Sequence, residues 1–184
     1  MVKAFFLTGA PGVGKTTAVM KVVEELKRRG FKVGGMLSGE VRRSGVRWGF
    51  EVIDLATGAR GVLASVEQRT GPSIGKYRVN LHDLEEVGVK AILRALEECD
   101  VVVVDEVGPM ELYSEAFKEA VRKALDSGKL VLGTVHFKAR GGLVDEVKRR
   151  ADVKVLVLTT GNRDSLAKEL AEELVEEATK ARWS

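Results

Sequence analysis

A chain of 184 residues with 45% hydrophobic and 31% charged content has the size and balance of one ordinary soluble domain, long enough for a sizeable core. Its net charge of +3 suits an anionic small ligand and is too weak to argue for nucleic acid. No apolar run reaches the ~18 residues that a membrane span needs, and the single cysteine, Cys99, excludes an internal disulfide and fits a reducing, cytoplasmic setting.

The chain enters its first element directly, without the charged-then-apolar layout of a signal peptide. Lys3–Thr8 is a short apolar run, right for a buried strand. It leads into Gly9-Ala10-Pro11-Gly12-Val13-Gly14-Lys15-Thr16, a full match to the phosphate-binding loop G-x-x-x-x-G-K-[ST]. Val19, Val22, Val23 and Leu26 mark one face of a following helix, which Lys27-Arg28-Arg29 and Gly30 close. The strand–loop–helix setting is the one the chemistry requires. Glycines let backbone N–H groups curl around a phosphate, and the helix N-terminus adds partial positive charge. Lys15 brings a cation to the β- and γ-phosphates, and Thr16, followed by Thr17, offers a hydroxyl to a bridging Mg²⁺.

Phe31–Ser38 reads as a second strand. From Gly39 to about Asn80 the alternation of helix and strand stops. Residues 47–54 and 60–65 read as a β-hairpin inserted into an α/β domain, turning at Ala56–Ala59. The insert carries Arg42, Arg43, Arg47, Arg60, Arg69, Lys76 and Arg78 against Glu40, Glu51, Asp54 and Glu67. A solvated face accounts for most of these charges; one or two arginines facing the phosphates is the sharper alternative. Trp48 and Phe50 suit hairpin packing better than base stacking.

A helix is expected over 83–98. Asp100 then introduces Val101-Val102-Val103-Val104-Asp105-Glu106-Val107-Gly108. Four β-branched residues in succession make a strand buried on both faces. Asp105 at its end is the Walker B carboxylate, metal-side with Thr16. Glu106 is placed to orient and deprotonate a water in line with the γ-phosphate, and Glu111 is the fallback. A helix over 114–127 follows, with Ser114 as N-cap, then a strand over 129–135. Its end carries Thr134 and His136, either of which could sense the γ-phosphate. A short helix over 142–150, a strand over 153–158 and a last helix bearing Leu166, Leu170 and Leu174 complete the chain. In the loop before that helix, Asn162 and Arg163 are candidates for contact with the base, with helix capping as the alternative for Asn162.

The segments GAPGVGKTT, EVRRSGVRWGFEV, VVVVDEVGPMEL and TTGNRD together resemble the THEP-type nucleoside-triphosphatase family across essentially the whole chain. The resemblance implies a compact P-loop fold and slow, Mg²⁺-dependent hydrolysis of several nucleoside triphosphates (ATP, GTP, CTP, UTP) to diphosphates. On it, Gly9–Thr16 match the phosphate loop and Val101–Gly108 the Walker B segment. Residues and resemblance agree on a single domain over 1–184: a three-layer α/β sandwich, mainly parallel sheet with helices on both faces and a β-hairpin insert at about 39–80. The strand bearing Thr134 is expected between the P-loop strand and the Walker B strand. A monomer without membrane or nucleic-acid partner is expected, and the composition, rich in Lys, Glu and Arg, leans toward a heat-adapted source. A nucleotide or small-molecule kinase and a nucleotide-dependent switch are the competing functions.

Overall fold

The computed structural model describes all residues, Met1–Ser184. Nine strands form one sheet: β1 (Ala4–Thr8), β2 (Val33–Arg43), β3 (Val46–Asp54), β4 (Arg60–Ser65), β5 (Ser73–Ile74), β6 (Tyr77–Val79), β7 (Val101–Val107), β8 (Leu130–Val135) and β9 (Val153–Val157). Their order is β5-β6-β4-β3-β2-β7-β8-β1-β9. The five strands from β2 to β9 run parallel. β8 lies between β1 and β7, as the sequence implies.

Strand side chains alternate between faces, and the core divides accordingly. Phe5, Leu7, Val101, Val103, Leu130 and Leu132 pack on one face with Val19, Val22 and Leu26 of helix α1 (Lys15–Arg28). Leu170 and Leu174 of the last helix, Arg163–Trp183, join them there. Ala4, Phe6, Val102, Val104 and Val131 pack on the other face. Their partners there are the π-helical stretch Leu84–Val89, α3 (Lys90–Glu98), α4 (Glu115–Asp126) and α5 (Gly142–Arg149), while the short α2 (Leu81–Asp83) that leads into them buries no residue. The last helix is α6. Near-continuous valine in β7 is what a strand covered on both sides needs.

The insert departs from a free-standing hairpin. β2 does not stop at Ser38; it continues to Arg43, turns at Ser44–Gly45 and returns as β3. β3 and β4 do form the expected antiparallel pair. With β6 and β5 they extend the sheet sideways by four antiparallel strands. The sheet is therefore mixed, parallel in its core and antiparallel in the extension. Asp54 ends β3: its carboxyl accepts from the amides of Ala56 and Thr57 and pairs with Arg94 at 2.6 Å. That ties the turn after β3 to α3. The 83–98 helix begins two residues early, where the Asn80 side chain accepts from the Asp83 amide, and it passes through the π-helical stretch before α3.

Candidate active site

The phosphate loop leaves β1 at Gly9. Its φ is +153°, and a Cβ there would lie 2.5 Å from the Leu158 carbonyl oxygen, so only glycine lets the loop pass this close to the end of β9. At the other end of the loop Lys15 opens α1. Its ammonium donates to the carbonyls of Gly9 at 2.8 Å and Ala10 at 3.3 Å, folding back across the loop. Both acceptors are neutral, so the cation is held in place without being neutralised.

Asp105 is the centre of the site. It sits near the end of β7, 2% exposed. The Thr16 hydroxyl donates to Oδ2 at 2.8 Å, and the Thr134 hydroxyl donates to Oδ1 at 2.6 Å. Burial pushes its carboxyl up from the usual range, opposed by these two hydroxyls, the Ser38 amide and the Lys15 cation. Three strands therefore converge on one carboxylate. Thr134, fully buried and bonded to Asp105, positions that carboxylate and is removed from any direct γ-phosphate contact. Ser38, at the bend where β2 leaves the parallel core, has no side-chain signature that the sequence could have flagged.

Glu106 follows through a cis peptide bond and lines the same cleft as Lys15 and Thr16. Burial and the neighbouring Asp105 push its carboxyl up, and Lys15 pulls it down. Glu111, 3% exposed on the single 3₁₀ turn Glu111–Tyr113, lines the cleft as well. Burial, Glu106 and Asp105 push Glu111 well above the usual range, against its own and the Gly108 amide. The two acids meet around Gly108: a Cβ there would come 2.5 Å from Glu106 Oε1 and 3.2 Å from Glu111 Oε2.

His136 lines the cleft beside them. Its Nδ1 accepts from the amides of Lys138 at 3.2 Å and Ala139 at 2.9 Å, so the ring proton resides on Nε2. Burial, Lys15, Lys148 and Lys138 hold it below the usual imidazole range.

The cleft encloses about 770 Å³. One wall is the phosphate loop and the start of α1. The facing wall comes from the sheet extension and the segment after β7: Arg47, Phe50, Leu63, Ile74, Pro109 and Met110. Of the three hairpin arginines, only Arg47 reaches it. Arg42 turns to the Gly45 carbonyl and Glu40, while Arg43 pairs with Glu67 and covers the Trp48 ring at 3.9 Å. Arg47 itself pairs with Glu40 at 2.9 Å.

Several residues assigned to nucleotide contact from sequence have other tasks. Val101, Val102, Val103, Val104 and Val107 are fully buried in the core; they deliver Asp105 and Glu106 without lining the cleft. Val13 is buried too, and the exposed Ala10 contributes its carbonyl to Lys15. Gly9, Pro11, Gly12, Gly14, Lys15, Thr16 and Thr17 line the cleft. Asn162 is spent on its own loop: Oδ1 accepts from the Thr159 amide at 2.7 Å, and Nδ2 donates to the Val157 carbonyl at 3.0 Å. It makes no side-chain cap to α6 either. Arg163 lies outside the main cleft, with its guanidinium 3.5 Å from the Val13 carbonyl, in a smaller recess of about 250 Å³ shared with Gly14, Thr17, Lys21 and Asp164.

No cluster of three His, Cys, Asp or Glu side chains could cage a metal ion in the protein. The oxygen set that is present, one hydroxyl and one buried carboxylate within 2.8 Å, fits Mg²⁺ instead. That ion takes one or two protein oxygens and completes its shell with phosphate and water.

Known proteins resemble this chain in sequence and in fold. The family model described as NTPase matches residues 4–171. The nucleoside-triphosphatase THEP1 of Thermofilum pendens is 54% identical over 94% of this chain and 95% of its own length. Its counterpart in Methanosarcina barkeri is 48% identical over 90% and 93%. Among solved structures, THEP1 from the hyperthermophile Aquifex aeolicus superposes with a TM-score of 0.80 at 31% identity, covering 91% of this chain and 96% of that one. A human cancer-related nucleoside triphosphatase superposes at 0.79 with 37% identity, covering 95% and 97%.

Proposed function

We propose, from the premise that the chain belongs to the NTPase family of nucleoside-triphosphatases, that it hydrolyses nucleoside triphosphates to diphosphate and phosphate with Mg²⁺ and little choice of base. The observation that carries the reading is the convergence on Asp105: Thr16 and Thr134 hold its two oxygens while Glu106, next in the chain, enters the cleft that Lys15 lines.

Lys15 moves from the two loop carbonyls to the β- and γ-phosphate oxygens, which offer full negative charge in place of neutral dipoles. Thr16 and Asp105 would hold Mg²⁺, which supplies charge neutralisation between the β- and γ-phosphates. Burial makes Asp105 a group that gains from a cation beside it. Glu106 takes the proton of the attacking water, and its raised carboxyl is better matched to that task than an ordinary one. Weak base selection rests on the spent amide of Asn162. The Arg163 recess offers a guanidinium for stacking, which is tolerant of the base. A reducing compartment fits Cys99, the one cysteine. No helix is long and apolar enough to cross a membrane.

The test is Glu106→Gln. The amide keeps the shape and loses the basicity. Nucleotide binding should persist, because Lys15, Thr16 and Asp105 are intact, while turnover falls by roughly 10²–10⁴. In the unaltered protein the acid limb of the turnover–pH profile should lie above the ordinary carboxylate range, activity rising as Glu106 loses its proton. Near-normal turnover of Glu106→Gln would move the role to Glu111.

A further inference from the structure

Most of the hydrolytic machinery lies on one side of the cleft. The phosphate loop, Thr16, Asp105 and Glu106 account for the triphosphate tail and its water. The opposite wall offers phosphate no cation but Arg47. Phe50, Leu63, Ile74 and Met110 make it apolar, and Phe50 is propped edge-on by Tyr77 with ring centroids 5.3 Å apart. Its cation, Arg47, is already paired with Glu40. Its floor is Glu111, 3% exposed, bonded by no other side chain and lining the cleft. Its own and the Gly108 backbone amides bond that carboxyl. The cleft's 770 Å³ lies in the upper part of the ~300–1,000 Å³ range of pockets that enclose whole organic molecules.

We infer that this half of the cleft is a binding site for an uncharged, hydroxyl-bearing molecule of nucleoside size, which takes the γ-phosphoryl group in place of water. Charge selects the class. Arg47, the one cation of this wall, is engaged by Glu40, and the base Glu106 in the same cleft opposes a second phosphate. A flat ring rests on Phe50 and the Met110 thioether, with Glu111 on its polar edge. The reaction balances without any further reactant. The acceptor oxygen bonds to the γ-phosphorus, and the bond from that phosphorus to the β–γ bridging oxygen breaks. The nucleoside diphosphate leaves with that electron pair, and the hydroxyl proton passes to Glu106. The inference rests on the hydrolase reading, since it uses the same base and phosphate loop.

The experiment incubates the full chain with Mg²⁺ and ATP, alone and with millimolar adenosine, guanosine, cytidine, uridine or thymidine, and counts diphosphate, free phosphate and nucleoside monophosphate. With at least one nucleoside, diphosphate should exceed free phosphate, and the missing phosphate should appear as monophosphate. Glu106→Gln protein purified in the same way should lose that product, which excludes a contaminating kinase. Phe50→Ala should raise the nucleoside concentration for half-maximal transfer about tenfold, and Phe50→Tyr should restore it. Equal amounts of diphosphate and free phosphate in every mixture would overturn the acceptor site and leave the hydrolase standing. Absence of diphosphate in every mixture, ATP alone included, would overturn both.

Discussion

Glu111 shows what a single buried acid does to the molecule that carries it. Its carboxyl is almost wholly removed from water, and Glu106 and Asp105 stand close by. All three effects penalise the charged form, so the folded chain holds this proton to higher pH than the unfolded chain does. The sign follows directly. Below the unfolded value, about 4.3 for Glu, both states are protonated and the group has no effect. As pH rises from there through the folded value, the unfolded state releases its proton first and stability falls. Glu111→Gln lacks this titration. Its melting temperature relative to the unaltered protein should therefore climb as pH rises from about 4 to 9. A relative gain above ~2 °C is the smallest worth reading, since ~1 kcal/mol moves a chain of this size by about 2–4 °C. Thermal melts across that pH range that keep a constant gap between the two proteins would show that Glu111 is solvated and ionised in the fold.

At the scale of elements, the sheet extension decides which arginine can act. Side chains alternate between faces along its strands, so Arg43 and Arg47 leave the β2–β3 turn for different partners. Only Arg47 enters the cleft, held by Glu40 across the register Arg42↔Arg47 and Glu40↔Phe50. An arginine that contacts the γ-phosphate as its charge develops is worth ~10³–10⁵ in rate in P-loop hydrolases. Held by Glu40, Arg47 should contribute less. Arg47→Ala is expected to lower turnover by roughly 10-fold or more with nucleotide affinity changed far less, read by single-turnover hydrolysis and equilibrium binding. Unchanged turnover would leave Arg47 a structural partner of Glu40. This also marks the limit of what the sequence reveals. The parallel core was legible because each strand is a closed apolar run and each helix repeats at 3–4 residues. The phosphate loop and Asp105 were legible because their spacing is itself the chemistry. The extension was only half legible: Val41 to Arg43 carries no turn residue before Ser44, yet nothing in its composition says that it prolongs β2. The local bonds of Asn162 were invisible for a related reason. A short polar loop reads alike whether its amide faces a base or its own backbone.

For the whole molecule, the site is where folding and function oppose each other. Two apolar layers bury both faces of the sheet, while Asp105, Glu106 and Glu111 gather three acids at the carboxyl end of β7, or just beyond it. Lys15 is the nearest cation, and it is engaged with carbonyls. The unliganded fold thus carries local electrostatic stress that nucleotide and Mg²⁺ together should relieve, because the cation would sit beside Asp105 and the phosphates would draw Lys15 away. Nucleotide alone adds negative charge to an acidic site. Thermal unfolding should respond accordingly. With a non-hydrolysable ATP analogue and Mg²⁺ at ~100 times the dissociation constant, mass action stabilises the folded state by about 2.7 kcal/mol. That corresponds to roughly 5–11 °C in a chain of this length. The same analogue with EDTA should give little of that shift, and so should Lys15→Ala with Mg²⁺. The melt should remain one transition, because all nine strands share a single sheet and both helical layers rest on it. An equal shift with and without divalent metal would remove Mg²⁺ from the Thr16–Asp105 pair. Two separated transitions would show that the antiparallel extension folds as a unit of its own.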